Sequence, residues 1–183
     1  MANTTFQGNV RAEGGLEQVT KSATTGAYTT NFDVDSNGSV VYRKRVTDLT
    51  TTPYTVAATE SGTVFSLNKA DGIVVSLPAI ASGLNYTFIV GTAGTSGAYG
   101  IDCVGSDLYS GFATISDGGA ANDTHTFISG NRSCIDLGSA EQGWLIGGVI
   151  HLVAILVESS TTVYKWHCEA HLSGSGTLAT PFE

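Results

Sequence analysis

From Thr52 onward the chain is written in short runs where apolar and polar side chains alternate: Tyr54–Val56, Thr63–Leu67, Ile73–Leu77, Leu84–Val90, Gly100–Val104, Leu108–Ile115, Thr124–Ile128 and Ser133–Leu137. Successive side chains of a β-strand point to opposite faces, so each run predicts a strand with one dry side. Glu60-Ser-Gly62, Asn68 to Gly72 and Pro78 to Gly83 punctuate them, and these residue types build turns. Residues 92–99 and 116–123 read as Gly/Ala-rich loops. No segment carries a helical period. Many short strands with turn signals every eight to twelve residues predict an all-β domain, an antiparallel β-sandwich or jelly-roll-like fold.

The last two runs are the most informative. In Val163–Leu172 the residues Tyr164, Trp166, Cys168, Ala170 and Leu172 share one face, and Lys165, His167, Glu169 and His171 the other. One face is core and one is wet. Its partner, Val149–Val157, is apolar throughout except for His151. That pattern fits a strand covered on both sides, by a second sheet of the same chain or by another subunit. Val149, His151, Val153 and Ile155 are the expected oligomer interface, and residues 158–162 the hairpin loop between the two strands.

Residues 1–45 differ. They hold five of the eight basic residues (Arg11, Lys21, Arg43, Lys44 and Arg45) and few large apolar side chains. This predicts an extended N-terminal arm, 1–45, joined to a β-sandwich domain, 46–183. Phe6, Val10, Leu16 and Val19 are spaced to occupy shallow pockets on a neighbouring surface, as a segment does when it adds to another sheet's edge. Asn37-Gly38 between Phe32, Val34 and Val40-Val41-Tyr42 predicts a small hairpin with a type I′ turn at the arm's end. Arg43, Lys44 and Arg45, with Arg11, are the cations available to seat the arm on an acidic partner.

Composition narrows the function classes. Sixteen acidic residues against eight basic ones give a net charge of −8, which argues against a module that holds nucleic acid by neutralising phosphates. The longest apolar stretch, Trp144–Val157, is broken by Gly147, Gly148 and His151 and is shorter than the roughly 20 residues a membrane helix needs. The N-terminal residues lack the basic and apolar regions of a secretory signal, so synthesis in a cytosol is expected. Cys103, Cys134 and Cys168 are odd in number and none lies in a C-x-x-C pair; free thiols are expected, not a disulfide framework or a zinc site.

No constellation points to catalysis. His167, Glu169 and His171 share a strand face, but residues four apart on a strand lie about 13 Å apart, too far for one metal ion. Asp33-Val-Asp35-Ser-Asn37-Gly38 opens like a calcium loop but lacks the closing Glu. Gly94-Thr-Ser-Gly97 does not complete G-x-S-x-G, and Glu60, Asp71, Asp102, Asp107, Asp117 and Asp123 sit in turns that use them. The reading is of a protein that is not an enzyme, with no metal and no cofactor.

Two blocks carry a resemblance. Residues 52–68, T-P-Y-T-V-A-A-T-E-S-G-T-V-F-S-L-N, followed by Gly72-Ile-Val-Val-Ser-Leu-Pro-Ala79 and Gly83-Leu-Asn-Tyr-Thr-Phe-Ile-Val90, resemble the head decoration (capsid cement) proteins of tailed bacteriophages. Thr5-Phe-Gln-Gly-Asn-Val-Arg-Ala-Glu-Gly-Gly15 with Ser22-Ala-Thr-Thr-Gly26 is similar to their N-terminal arm. The resemblance implies a virion structural protein, a homotrimer on the outer capsid surface that bridges subunits of the major capsid protein. The middle block also recurs in phage fibre modules, which leaves a head- or tail-fibre module adhering to host surface glycans as the second reading.

Overall fold

The computed structural model describes residues 16–26, 28–34, 40–42, 44–118, 123–158 and 163–183, and of residues 16–20, 28–34, 40–42 and 158 the backbone alone. The chain divides into two compact units, residues 1–44 and 45–183.

In the first unit, β1 (Leu16–Lys21), β2 (Tyr28–Val34) and β3 (Val40–Tyr42) form an antiparallel three-stranded sheet. To the small hairpin expected at the arm's end the structure adds a strand, β1, and Leu16 stands opposite Val34 in a ladder. The pattern concealed β1 because Leu16 and Val19 stand three positions apart, out of the period of two; the register shift between Gln18 and Val19 places the extra residue, Asn31, on β2. The β2–β3 hairpin is present, with a different register. Val34 pairs with Val40, whereas a two-residue turn on Asn37-Gly38 pairs Val34 with Val41; the connecting residues 35–39 lie outside the described ones.

The second unit holds β4 (Val46–Leu49), β5 (Tyr54–Thr55), β6 (Val64–Leu67), β7 (Ile73–Ser76), β8 (Asn85–Val90), β9 (Tyr99–Asp102), β10 (Tyr109–Asp117), β11 (Thr124–Ile128), β12 (Cys134–Leu137), β13 (Leu145–Glu158) and β14 (Val163–Gly174). They build a seven-stranded sheet in the order β11-β10-β14-β13-β8-β6-β4 and a four-stranded one in the order β12-β9-β7-β5. From β4 to β9 the chain alternates between the two sheets. Each strand therefore lies parallel to the one two places on: β4, β6 and β8 in the large sheet, β5, β7 and β9 in the small one. Residues 46–102 are thus a three-turn coil. After it, β13 runs antiparallel to both β8 and β14, and β10 runs parallel to β14.

The domain is all-β, but the expected antiparallel arrangement is corrected to two mixed sheets. A jelly roll is antiparallel throughout. Period-two alternation fixes which face of a strand is buried and is silent on the direction of its neighbour.

One core serves both sheets. Phe65, Leu67, Phe88, Ile150, Leu152 and Trp166 from the large sheet and Ile73, Val75, Tyr99, Ile101 and Ile135 from the small one are at most 1% exposed and form a single cluster. The Phe65 and Phe88 rings stack at 5.2 Å. The tail closes the small sheet's open edge. The amides of Ser133 and Cys134 donate to the Glu183 carbonyl and that of Asp136 to Pro181, and Phe182 bridges Ile135.

Candidate functional site

The side of the large sheet turned away from the core is the largest surface on which sequence-predicted site residues meet. Because pairing fixes which residues stand side by side, the ladders can be read across it. Glu169 of β14 has Phe112 on one side and His151 on the other, and beyond His151 stand Thr87, Val64 and Val46. In the next row Thr114, His171, Val149, Ile89, Ser66 and Asp48 follow one another. Val153 sits between His167 and Asn85, and Ile155 opposite Lys165.

The alternation of β14 holds: Trp166, Cys168, Ala170 and Leu172 are buried, Glu169 and His171 exposed, Lys165 and His167 half-buried. On β13, Ile150, Leu152 and Ala154 enter the core. Val149 and Ile155 are half-buried, His151 is exposed and Val153 is 38% exposed. Of the two covers that the sequence left open for this strand, a second sheet of the same unit is not the one present. Within the second unit this side of β13 meets solvent.

Polar groups here interact locally. His151 Nδ1 lies 3.2 Å from Thr87 Oγ1, and His171 Nε2 lies 3.4 Å from Glu169 Oε1. The His171 ring also meets Phe112 edge-on at 6.5 Å. Among the described residues no three His, Cys, Asp or Glu side chains converge in a way that holds a metal ion.

The arm residues are placed less completely. Phe6, Val10, Arg11 and Arg43 lie outside the described residues, Leu16 is described by its backbone only, and Lys44 is exposed. Arg45 is engaged by a carboxylate. Its guanidinium bonds Glu60 Oε1 at 3.2 Å, an acceptor that also takes the Tyr54 hydroxyl at 2.9 Å, while Glu60 Oε2 takes the Ala57 amide at 2.9 Å. Glu60 is only 8% exposed, so Arg45 completes the neutralisation of a buried carboxylate inside its own unit. The sequence placed Glu60 in a turn but carried no sign of that partner, fifteen residues away.

The thiols are free, as the odd count and the absence of a C-x-x-C pair predicted. Burial pushes those of Cys103 and Cys168 up to about 12 and raises that of Cys134 as well. At neutral pH they are thiols, not thiolate nucleophiles.

Missed by the sequence reading is an acidic corner on the outer side of the small sheet. Cys134 pairs Asp102, and the tail brings Glu183 beside Asp136. Burial first, then the charges of Glu183 and Asp102, raise the Asp136 pKa, and its Oδ1 has no donor among the described residues. The folded state therefore binds a proton more tightly than the unfolded chain. That group lowers stability as pH rises above about 4, and the penalty is complete once pH passes its raised value. Asp136→Asn is expected to raise Tm by roughly 2 °C at pH 7 and to leave it unchanged at pH 3. Thermal melts of both proteins across that range check the sign.

Compared with protein-family models, curated proteins and solved structures, the chain matches none of them.

Proposed function

We propose that this chain is a virion structural protein of the capsid decoration type. In this reading it binds the major capsid protein on the outer surface of a tailed-phage head as a homotrimer and stabilises the shell by bridging coat subunits. It is made in the host cytoplasm, turns over no substrate, and uses no cofactor, nucleic acid or membrane. The observation that carries the reading is the uncovered side of β13. Parallel strands such as β4, β6 and β8 are ordinarily covered on both faces, yet here their outer side continues into Val149, Val153 and Ile155 with no further layer from the described residues of the second unit. A symmetric set of copies supplies that cover. The blocks at residues 5–26 and 52–90 support the family, and Phe6, Val10, Arg11, Leu16, Arg43, Lys44 and Arg45 are the residues assigned to the coat surface. Many contacts of modest strength add up when three copies are tethered at one site.

Light scattering on the intact chain is the first test. The expected mass is that of three 18.9 kDa chains, about 57 kDa, and Val149→Lys with Val153→Lys is expected to reduce it to that of one. Imaging is then expected to place the protein on the outer shell, with binding weakened about tenfold or more by Arg11→Glu, Arg43→Glu and Lys44→Glu together. A monomer absent from the outer shell overturns the proposal. The fibre-module reading draws on the polar strip Lys165, His167, Glu169 and His171; glycan binding by a protein with no affinity for capsids would favour it.

A further inference from the structure

The end of the β10–β11 hairpin carries a feature that neither the decoration reading nor the core requires. After β11 the chain turns through Ser129–Arg132, with φ of +56° at Gly130 and +62° at Asn131 and the Arg132 amide donating to the Ser129 carbonyl at 3.1 Å. This is a type I′ turn, and Lys165 ties it down by donating to Asn131 Oδ1. Facing the turn is the C-terminal tail, held by its pairing with β12. Between them lies a pocket of about 330 Å³, walled by Phe127, Ile128 and Phe182 and rimmed by Gly130, Arg132 and Thr180. That volume is at the small end for ligand sites.

We propose that this pocket binds an acidic sugar residue, with Arg132 reading the carboxylate and the half-buried Phe127 ring and exposed Ile128 packing on the apolar face of the sugar ring, above a floor made by the buried Phe182. Three observations lead there. The first is charge. In a chain of net charge −8, Arg45 is paired with Glu60, Lys69 with Asp71 and Lys165 with Asn131, while the exposed Arg132 guanidinium has no partner among the described residues. A planar five-donor fork matches a carboxylate through two parallel hydrogen bonds. The second is shape: an apolar wall of Phe127 and Ile128 beside one cation selects a ligand with an apolar face and an anionic edge. The third decides the source of the carboxylate. A peptide C-terminus is captured by free backbone amides, and the amides of Ser129, Arg132, Ser133, Cys134, Phe182 and Glu183 all donate within the chain already. Of the turn's amides that leaves those of Gly130 and Asn131, fewer than a carboxylate-capturing nest supplies; Arg132 is the charged side chain among the lining residues, and a bare Asp or Glu stem leaves the apolar walls uncovered.

The assignment does not rest on trimer formation or capsid binding. It is tested on the full chain by NMR titration with the methyl glycosides of N-acetylneuraminate and glucuronate, against neutral methyl galactoside and a capped peptide with a free C-terminal carboxylate. Expected are saturable shifts with at least one acidic sugar, confined to residues 127–132 and 180–182. Arg132→Gln is expected to weaken that binding about tenfold or more, Arg132→Lys by less, and Phe127→Ala to weaken it as well. Arg132→Gln should keep the wild-type Tm, light-scattering mass and capsid affinity, which separates failure of the pocket from failure of the decoration reading. Equal binding of the neutral sugar, affinity unchanged by Arg132→Gln, preference for the peptide, or no binding at about 10 mM overturns the proposal.

Discussion

Gly111→Ala is expected to lower the stability of the second unit by roughly 3–5 kcal/mol. Gly111 stands opposite Cys168 where β10 runs parallel to β14. A Cβ placed there would sit 2.0 Å from the Cys168 carbonyl oxygen and 2.9 Å from the carbon and nitrogen of the same residue, and the Gly111 φ is +140°. No rotamer relieves that contact, because every atom it meets is backbone. Moving β14 away would drag Trp166 and Ala170, both fully buried, out of the core. The Gly111 carbonyl also accepts the Ser129 amide at 3.0 Å, so the same residue anchors the turn that carries Arg132. The drop corresponds to roughly 10 °C in Tm for a unit of this size. Ser110→Ala, on the outer side of the same strand, should stay within about 0.5 kcal/mol. Thermal and urea unfolding of the two variants give the comparison, and matching midpoints would mean that β10 and β14 are not in contact at this point.

How much of this was legible in the sequence depends on what sets each feature. Strand positions in the second unit follow from side-chain alternation, and β6, β7, β8, β11, β12 and β14 fall within or close to the runs that predicted them. The buried identities of Trp166, Cys168 and Ala170 were readable for the same reason. Pairing was not. That β4, β6 and β8 lie parallel depends on β5 and β7 crossing to the other sheet, a decision taken in turns whose residues permit either return. β4 itself, Val-Thr-Asp-Leu, is too short for alternation to separate it from a loop. The Arg45–Glu60 pair and the meeting of Arg132 with Phe182 join residues 15 and 50 positions apart, and only the fold brings them together. Arg132 was passed over because a lone Arg after Asn carries no motif. The one usable signal was Gly130-Asn131, two residues that tolerate positive φ, which marks a tight turn able to present its neighbour.

The same division bears on function. A coil of parallel strands offers the same kind of side chain at each rung, so its outer side becomes a continuous strip: Val46, Val64, Thr87 and, on the strand after the coil, His151. Under the proposed function that strip, with the neighbouring row that carries His171 and Asp48, is the surface offered to identical copies. The pocket at Arg132 is the opposite kind of feature, small and concave with a single charge. It lies at the far edge of the large sheet from β4, so occupancy of the strip and of the pocket are separable by mutation.

Trp166 provides the second large effect and a test of the core's construction. Its side chain is fully buried, packs on Tyr86 with ring centres 5.6 Å apart, and stands in register with Ala154 on β13 and Tyr109 on β10. Ala154 is small where the indole is large, so the two fit across the ladder. Trp166→Ala is expected to cost about 3–5 kcal/mol through lost burial and the void that rigid neighbours cannot fill. Trp166→Phe should behave differently. The indole N–H has no acceptor among the described residues, and leaving a donor unsatisfied in a core costs about 1–3 kcal/mol. Phenylalanine removes that donor while keeping an aromatic face toward Tyr86, so the smaller ring's lost volume and the relieved penalty nearly cancel, for a net cost of about 1 kcal/mol. The two substitutions should therefore separate by about 2–4 kcal/mol. Trp144, the other tryptophan, reports unfolding by fluorescence in both variants. A Phe variant as unstable as the Ala variant would show that the indole nitrogen is bonded in the folded protein and that the core is held there by a polar contact, not by packing alone.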